Sequence, residues 1–265
     1  MGIKALIAAG SNQGDSDALL RDSFDRIGRL PATSILATST LRRTAPVGPA
    51  SRPFVNACLL VETQLEPQSL LDQLLFIESC FGRNRGENSG TGLVDRPLDL
   101  DIVLYGDAVL AGKGLVIPHP RMSFRRFVLE PAAEVAGDMR HPLFAGNVRH
   151  FLDCINDEAR RIVVAGAIHA RERMSFPGAS RWNVVRVDHP GAGAVREGEL
   201  PPRMNLLIEF AETPASPAGL SFPGWSGPRW QIGSRRNEMS PDEFAGLIRT
   251  AAESMREPDS RHASG

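Results

Sequence analysis

The chain has 265 residues, 42% of them hydrophobic and 23% charged, with a formal net charge of −1. That balance excludes a strongly basic nucleic-acid binder and gives no electrostatic ground for attachment to an anionic membrane. The three cysteines (Cys58, Cys80, Cys154) are widely spaced without a CxxC pair, and no apolar stretch is long enough to span a bilayer, so the expectation is a reduced, cytoplasmic protein.

Ile3 to Ala9 is a short apolar run closed by Gly10-Ser11-Asn12, which reads as a buried strand and a turn. Asp15 or Ser16 caps the next helix, and Leu20, Phe24, Ile27 and Leu30 mark its buried face. Ser34 to Leu41 reads as a second strand. Arg42 to Pro49 reads as loop, because it holds two prolines and a glycine. Phe54 to Thr63 is a third strand. Pro67 suits the first position of a helix whose apolar face carries Leu70, Leu71, Leu74, Ile77 and Phe81, and Gly82 ends it.

Leu98 to Tyr105 reads as a fourth strand, with Leu98, Leu100, Ile102 and Leu104 on one face. Pro118-His119-Pro120 precedes a helical stretch from Met122 to Leu129, which Pro131 interrupts and after which a helix can restart. The order β, α, β, β, α, β predicts an α+β fold with a ferredoxin-like sheet. All three tryptophans (Trp182, Trp225, Trp230) and many Pro-Gly pairs follow residue 157, whereas both lysines precede it. That shift divides the chain into a domain at 1–157, a smaller α/β appendage at 158–258 and a disordered tail at 259–265.

The chemistry concentrates in Arg96-Pro97-Leu98-Asp99-Leu100-Asp101. Alternate strand residues share a face, so Asp99 and Asp101 stand side by side, roughly 6–7 Å apart at their Cα atoms. Two neighbouring carboxylates repel unless cations join them, and Mg²⁺ favours one or two carboxylates completed by phosphates and water. Taken alone, such a pair is more often a solvated strand face. Arginines surround this one in the sequence, however: Arg83 and Arg85 in Gly-Arg-Asn-Arg-Gly, Arg96, and Arg125 with Arg126. Guanidinium groups bind phosphate fork-to-fork. Arginines around a carboxylate pair are what a polyphosphate with Mg²⁺ requires.

Several separate segments, in order, resemble the 6-hydroxymethyl-7,8-dihydropterin pyrophosphokinase family over residues 1–155. They are Gly10-Ser11-Asn12, Arg43 to Pro49, Phe54-Val55-Asn56-Ala57, Ile77-Glu78, Gly82 to Arg85, Arg96 to Ile102, and Pro118 to Met122 with Arg126 to Leu129. The resemblance implies transfer of pyrophosphate from ATP, as co-substrate, to the hydroxymethyl group of a reduced pterin in folate biosynthesis. It implies two Mg²⁺ ions at Asp99 and Asp101, with Arg83 and Arg96 joining them as catalytic residues. It places Thr44, Pro46, Phe54, Asn56 and Phe127 around the pterin. Glu78, Arg83, Arg85, Arg96, Ile102, His119 and Arg125 would meet ATP. The partners implied are these small molecules, without nucleic acid or membrane.

One segment departs from the family. The family carries Arg-Trp-(Gly/Ala)-Pro-Arg before the aspartate strand, in a loop that closes over the substrates. Here Gly92-Leu93-Val94-Asp95-Arg96 keeps only the last arginine. A lid positions groups and excludes water, so the expectation is reduced but measurable turnover. The rival expectation is an impaired relative that binds ATP or pterin without efficient turnover. A ferredoxin-like RNA-binding module is disfavoured by the charge and by the lack of an aromatic RNP strand. Arg160 to Ile168 distantly resembles the opening of deoxynucleoside kinases, but His169 to Ser175 lacks the Gly-Lys-Ser/Thr ending of a P-loop. A degenerate or structural appendage, with a homodimer formed through it, is therefore expected.

Overall fold

The computed structural model describes residues 2–47, 50–83, 95–112, 114–144, 146–158, 161–165, 183–187, 206–210, 229–232 and 241–255. Gly48-Pro49, Arg85, the loop segment 86–94, residues 169–175 and the expected tail at 259–265 lie outside them.

The first strand, β1 (Ile3–Ser11), lies at the centre of an antiparallel sheet. Helix α1 (Ser16–Gly28) follows, and its first turn is capped by the Asp15 carboxylate, which accepts from Ala18 N at 3.1 Å. Then come β2 (Thr33–Thr38), β3 (Arg42–Thr44), β4 (Phe54–Thr63), helix α2 (Pro67–Cys80) and β5 (Asp99–Tyr105). The sheet order is β2-β4-β1-β5, all neighbours antiparallel, with β3 extending β4 on the β2 side. The stretch read as loop from Arg42 therefore begins as a strand. Arg42, Arg43 and Thr44 pair with Asn56, Val55 and Phe54, and the proline-rich segment only follows them.

Two apolar clusters sandwich the sheet. Ala5, Ile7, Leu59, Val61, Leu98, Leu100 and Ile102 face α1 and α2, where Leu20, Ile27, Leu70, Leu74 and Ile77 meet them. Leu6, Cys58, Val103 and Leu104 face the opposite way. Leu104 thus leaves the face shared by Leu98, Leu100 and Ile102, contrary to strict alternation. The register slips between Leu6 and Ile7, pairing Leu6 with Leu104 and Ile7 with Ile102. A bulge of this kind turns the rest of a strand over.

The hairpin β6 (Leu110–Gly112) and β7 (Leu115–Ile117) leads to a 3₁₀ turn, Met122–Phe124, and then to α3 (Arg126–Ala136) and α4 (Val148–Asn156). The helix expected from Met122 thus starts four residues later, and it runs through Pro131 instead of stopping there. Proline inside a helix costs about 3 kcal/mol. Val128, Leu129, Ala132, Ala133 and Ala136 are buried around it, and each large apolar side chain buried gains about 1.5–3 kcal/mol.

Beyond residue 157, four parallel strands form a second sheet: β8 (Arg161–Ala165), β9 (Asn183–Val187), β10 (Leu206–Phe210) and β11 (Arg229–Ile232), in the order β11-β10-β8-β9. Helix α5 (Pro241–Ser254) follows. Leu206, Ile248, Ala251, Ala252 and Met255 enter the same cluster as Val128, Phe151 and Ile155. The apolar face of α5 is therefore buried within its own chain, across the boundary expected near residue 157. No described helix is long and apolar enough to cross a membrane.

Candidate active site

The site lies on the sheet face opposite α1 and α2, at the ends of β1, β4 and β5. Register brings its parts together. Gly10 pairs with Asp99 on one side and Asn56 on the other, and Ala8 pairs with Asp101. Small residues opposite both aspartates leave open space above the sheet. A Cβ added at Gly10 would stand 3.1 Å from Asn56 Oδ1, so the floor tolerates no side chain there without movement. The resulting cavity is lined by Ala8, Gly10, Thr44, Val47, Phe54, Asn56, Arg96, Asp99, Asp101, Arg125, Phe127 and Val128, among others.

The apolar end of this cavity holds Phe54 and Phe127. Arg96 lies 5.7 Å from the Phe54 ring centre, and Arg125 lies 5.4 Å from that of Phe127, so each ring backs onto a guanidinium. Asn56 Nδ2 donates to Thr44 Oγ1 at 2.8 Å. That bond orients the amide and joins β4 to β3 beneath the pocket.

The polar end is an ion-pair array. Arg83 Nη1 donates to Glu78 Oε1 at 2.5 Å, to the Leu98 carbonyl at 3.2 Å, and to Asp99 Oδ1. Arg96 Nη2 meets Asp99 Oδ2 at 2.7 Å. The end of α2 aims Arg83: Gly82 takes the left-handed φ of 84° and Arg83 N returns to the Glu78 carbonyl. Burial opposes the charge on Asp99, but Arg96 and Arg83 outweigh it and hold the carboxyl below its ordinary range. Asp101 goes the other way. Burial, with the adjacent charge of Asp99, pushes it up to about 7. A carboxylate pair with one member pushed up in this way is a place where added positive charge is favoured.

His119 sits on the strap that follows β7 and covers the β5 edge, with its N–H on the Val103 carbonyl at 2.9 Å. Burial, and then Arg125 and Arg121, push the imidazole down to about 3, so it is neutral. Its Nδ1 accepts from Arg121 N at 3.2 Å, which leaves Nε2 as the donor. Burial and the neighbouring Arg121 bring Arg125 down to about 10, still fully charged at neutral pH.

Of the residues singled out in the sequence, Thr44, Phe54, Asn56, Arg96, Asp99, Asp101, Arg125 and Phe127 line one cavity. Pro46 is not among the lining residues, although Ala45 and Val47 beside it are. Ile102 points into the α1/α2 core at 3% exposure, on the far side of the strand from Asp101. Glu78 is buried at 1% exposure, and its carboxylate takes both Arg83 and the Leu100 N–H, the latter at 2.7 Å. Arg85 lies outside the described residues.

Sequence reasoning passed over Asp95. Its carboxylate accepts from Asn12 Nδ2 at 2.6 Å, from Ser51 N at 3.0 Å and from Ser51 Oγ at 2.5 Å. Asn12 in turn holds the Arg96 backbone on both sides: its N–H donates to the Arg96 carbonyl and its Oδ1 accepts from Arg96 N. Asp95 therefore fastens the segment leading into Arg96 to the end of β1 and to the loop between β3 and β4. The signal available was its position directly before Arg96-Pro97. Among the described residues no group of three or more His, Cys, Asp or Glu could hold a metal. A cation here would thus rest on two carboxylates and complete its shell from the ligand.

A family model described as 7,8-dihydro-6-hydroxymethylpterin-pyrophosphokinase matches residues 6–137. The chain is 40% identical over 141 residues to the 2-amino-4-hydroxy-6-hydroxymethyldihydropteridine pyrophosphokinase of Haemophilus influenzae, covering 53% of this chain and 86% of that protein. It is also 40% identical over 140 residues to the protein of the same description from Pseudomonas aeruginosa, covering 52% and 84%. Among solved structures, a Plasmodium falciparum HPPK-DHPS with pterin and p-hydroxybenzoate superposes with a TM-score of 0.48 at 12% identity. That match covers 63% of this chain and half of the other.

Proposed function

This chain belongs to the 7,8-dihydro-6-hydroxymethylpterin-pyrophosphokinase family, and from that premise we propose how its residues divide the work. The enzyme is an ATP-dependent diphosphotransferase of folate biosynthesis, moving pyrophosphate from ATP to 6-hydroxymethyl-7,8-dihydropterin. The observation that carries the assignment of roles is the cavity itself. One end offers two aromatic rings and a hydrogen-bonding amide; the other offers two carboxylates and two arginines, with Arg83 outside the lining but paired to Asp99.

The flat pterin enters between Phe54 and Phe127, where ring stacking and buried area supply affinity. Asn56 and Thr44 read its polar edge. Arg96 and Arg125 lie behind the rings and reach toward the phosphates. They neutralise charge that water would otherwise screen. Neutral His119, although not among the cavity-lining residues, keeps an Nε2–H free of the Arg121 contact as a further donor for the nucleotide. Glu78 takes no part in contacting nucleotide; it fixes Arg83 against β5. Pro46 and Ile102 contribute shape behind the lining.

Asp99 and Asp101, alternate residues of β5 that both line the cavity, would hold Mg²⁺, and the raised pKa of Asp101 beside Asp99 agrees with a place for positive charge. Bound there, Mg²⁺ supplies charge neutralisation of the polyphosphate. The strand order β2-β4-β1-β5, with two helices on one face, supports the ferredoxin-like reading of the first 157 residues. The four-stranded parallel sheet supports an α/β appendage after them.

The test is AMP release from ATP with and without the pterin, in the wild-type chain, Asp99→Ala and Asp101→Ala. Each substitution should lower the rate by about 10²–10³-fold. Turnover of the wild-type chain should be slower than that of relatives keeping the Arg-Trp lid, but present. A wild-type chain that binds both substrates and never releases AMP, or an Asp99→Ala variant at the wild-type rate, defeats the proposal.

A further inference from the structure

We propose that the C-terminal segment is a positioning element for the active site. Helix α5, clasped at its C-terminal end by Arg126, fixes the start of α3 and with it the aim of Arg125 and Phe127. The inference rests on those two residues contacting substrate, as set out above.

Arg126 is in an unfavourable place. It is the first residue of α3, where the helix dipole disfavours a cation, and it is 6% exposed. A guanidinium buried there must be compensated by partners. Its Nε donates to the Met255 carbonyl at 3.0 Å, across 129 residues of chain, at the C-terminal end of α5, where a cation is favoured. Its Nη1 donates to Glu130 at 3.1 Å. Glu130 also accepts from Arg42 Nη1 at 3.3 Å, and Arg42 lies on β3, two residues before Thr44. One guanidinium thus ties the end of α5 to α3 and, through Glu130, to the strand that carries a pocket residue.

Packing agrees with the hydrogen bonds. Ile248, Ala251, Ala252 and Met255 are 0–2% exposed in the cluster that also holds Val128, and Val128 lines the cavity. Strand β11 lies against the 3₁₀ turn immediately before Arg125. Arg125 and Phe127 flank Arg126 directly, so a shift of Arg126 moves both. All these C-terminal residues fall beyond the stretch that matches the family model, residues 6–137.

The test uses the full chain as wild type, Arg126→Met and Arg126→Lys. Affinity for Mg²⁺–ATP is read by calorimetry, and amide exchange is read over residues 246–255. Methionine keeps the bulk and removes the charged donors. It should weaken ATP binding about tenfold and raise exchange in α5 by a similar factor. Lysine, which can reach one partner at a time, should fall between the two, and it serves as the second variant if Arg126→Met does not fold. Faster exchange with unchanged affinity would show that docking of α5 is irrelevant to the site. Weaker binding with unchanged exchange would confine Arg126 to α3. Either result overturns the proposal, as does a variant unchanged in both. AMP release by the wild-type chain is measured alongside. Its absence would count against the enzymatic reading alone, since the comparison of ATP affinities still decides the positioning role.

Discussion

Glu78 offers the cleanest separation of charge from shape in this site. It is 1% exposed, and its Oε1 takes the Leu100 N–H at 2.7 Å and Arg83 Nη1 at 2.5 Å. Glu78→Gln keeps an oxygen where Leu100 needs one but removes the charge facing Arg83. Arg83 retains Asp99 and the Leu98 carbonyl. The loss is then one charge-assisted bond, about 1.5–3 kcal/mol. Glu78→Ala strips the acceptor as well, leaving the Leu100 N–H at the sheet edge without its carboxylate. That adds about 1–3 kcal/mol, for a total of about 2.5–6 kcal/mol. Urea unfolding with an unchanged m-value reads both numbers. Calorimetry with Mg²⁺–ATP should show weaker binding in both, because Arg83 loses the partner that aims it. An alanine variant within about 0.5 kcal/mol of wild type would refute the reasoning. Equal losses in the two variants would assign everything to charge and remove the Leu100 link from the account.

Two further predictions concern groups outside the cavity. His141 stacks on Phe144 with ring centres 4.3 Å apart, its Nδ1 accepts from Leu143 N and Phe144 N, and burial pushes it down to about 3. A folded value below the unfolded one of about 6.5 means stability present above pH 6.5 and lost as pH falls toward 3. At pH 5 the wild type should have lost about 2 kcal/mol more than His141→Asn, whose amide oxygen can accept the same bonds; parallel stability curves for the two would sink this. Thiol labelling of the native protein should follow the order Cys80, Cys154, Cys58. Cys80 is exposed, burial pushes Cys154 up to about 11, and Cys58 is enclosed with its thiol pushed higher still. Rapid labelling of Cys58 before unfolding would contradict its place against the Val128 carbonyl.

What could be read from the sequence was whatever local periodicity determines. The alternation of Leu98, Asp99, Leu100 and Asp101 placed both carboxylates on one face, and the structure has them there. The face of α2 with Leu70, Leu74 and Ile77 followed from helical spacing in the same way. The misreadings come from partners distant in sequence. Leu104 turns over because β5 carries an extra residue, Val103, opposite the Leu6–Ile7 step of β1, which nothing in the local sequence announces. Arg42 to Thr44 form a strand because β4 offers a free edge there, although the following Pro46 and Pro49 argue for loop. Helix α3 passes Pro131 because packing on both flanks outweighs a lost hydrogen bond. The same distinction separates the two arginines at the start of α3. Arg125 is singled out by its motif, which is local, and it lines the cavity with Asp99 and Asp101. Arg126 has its role set by Met255, 129 residues away, so the function of the C-terminal helix becomes visible only when the chain is folded.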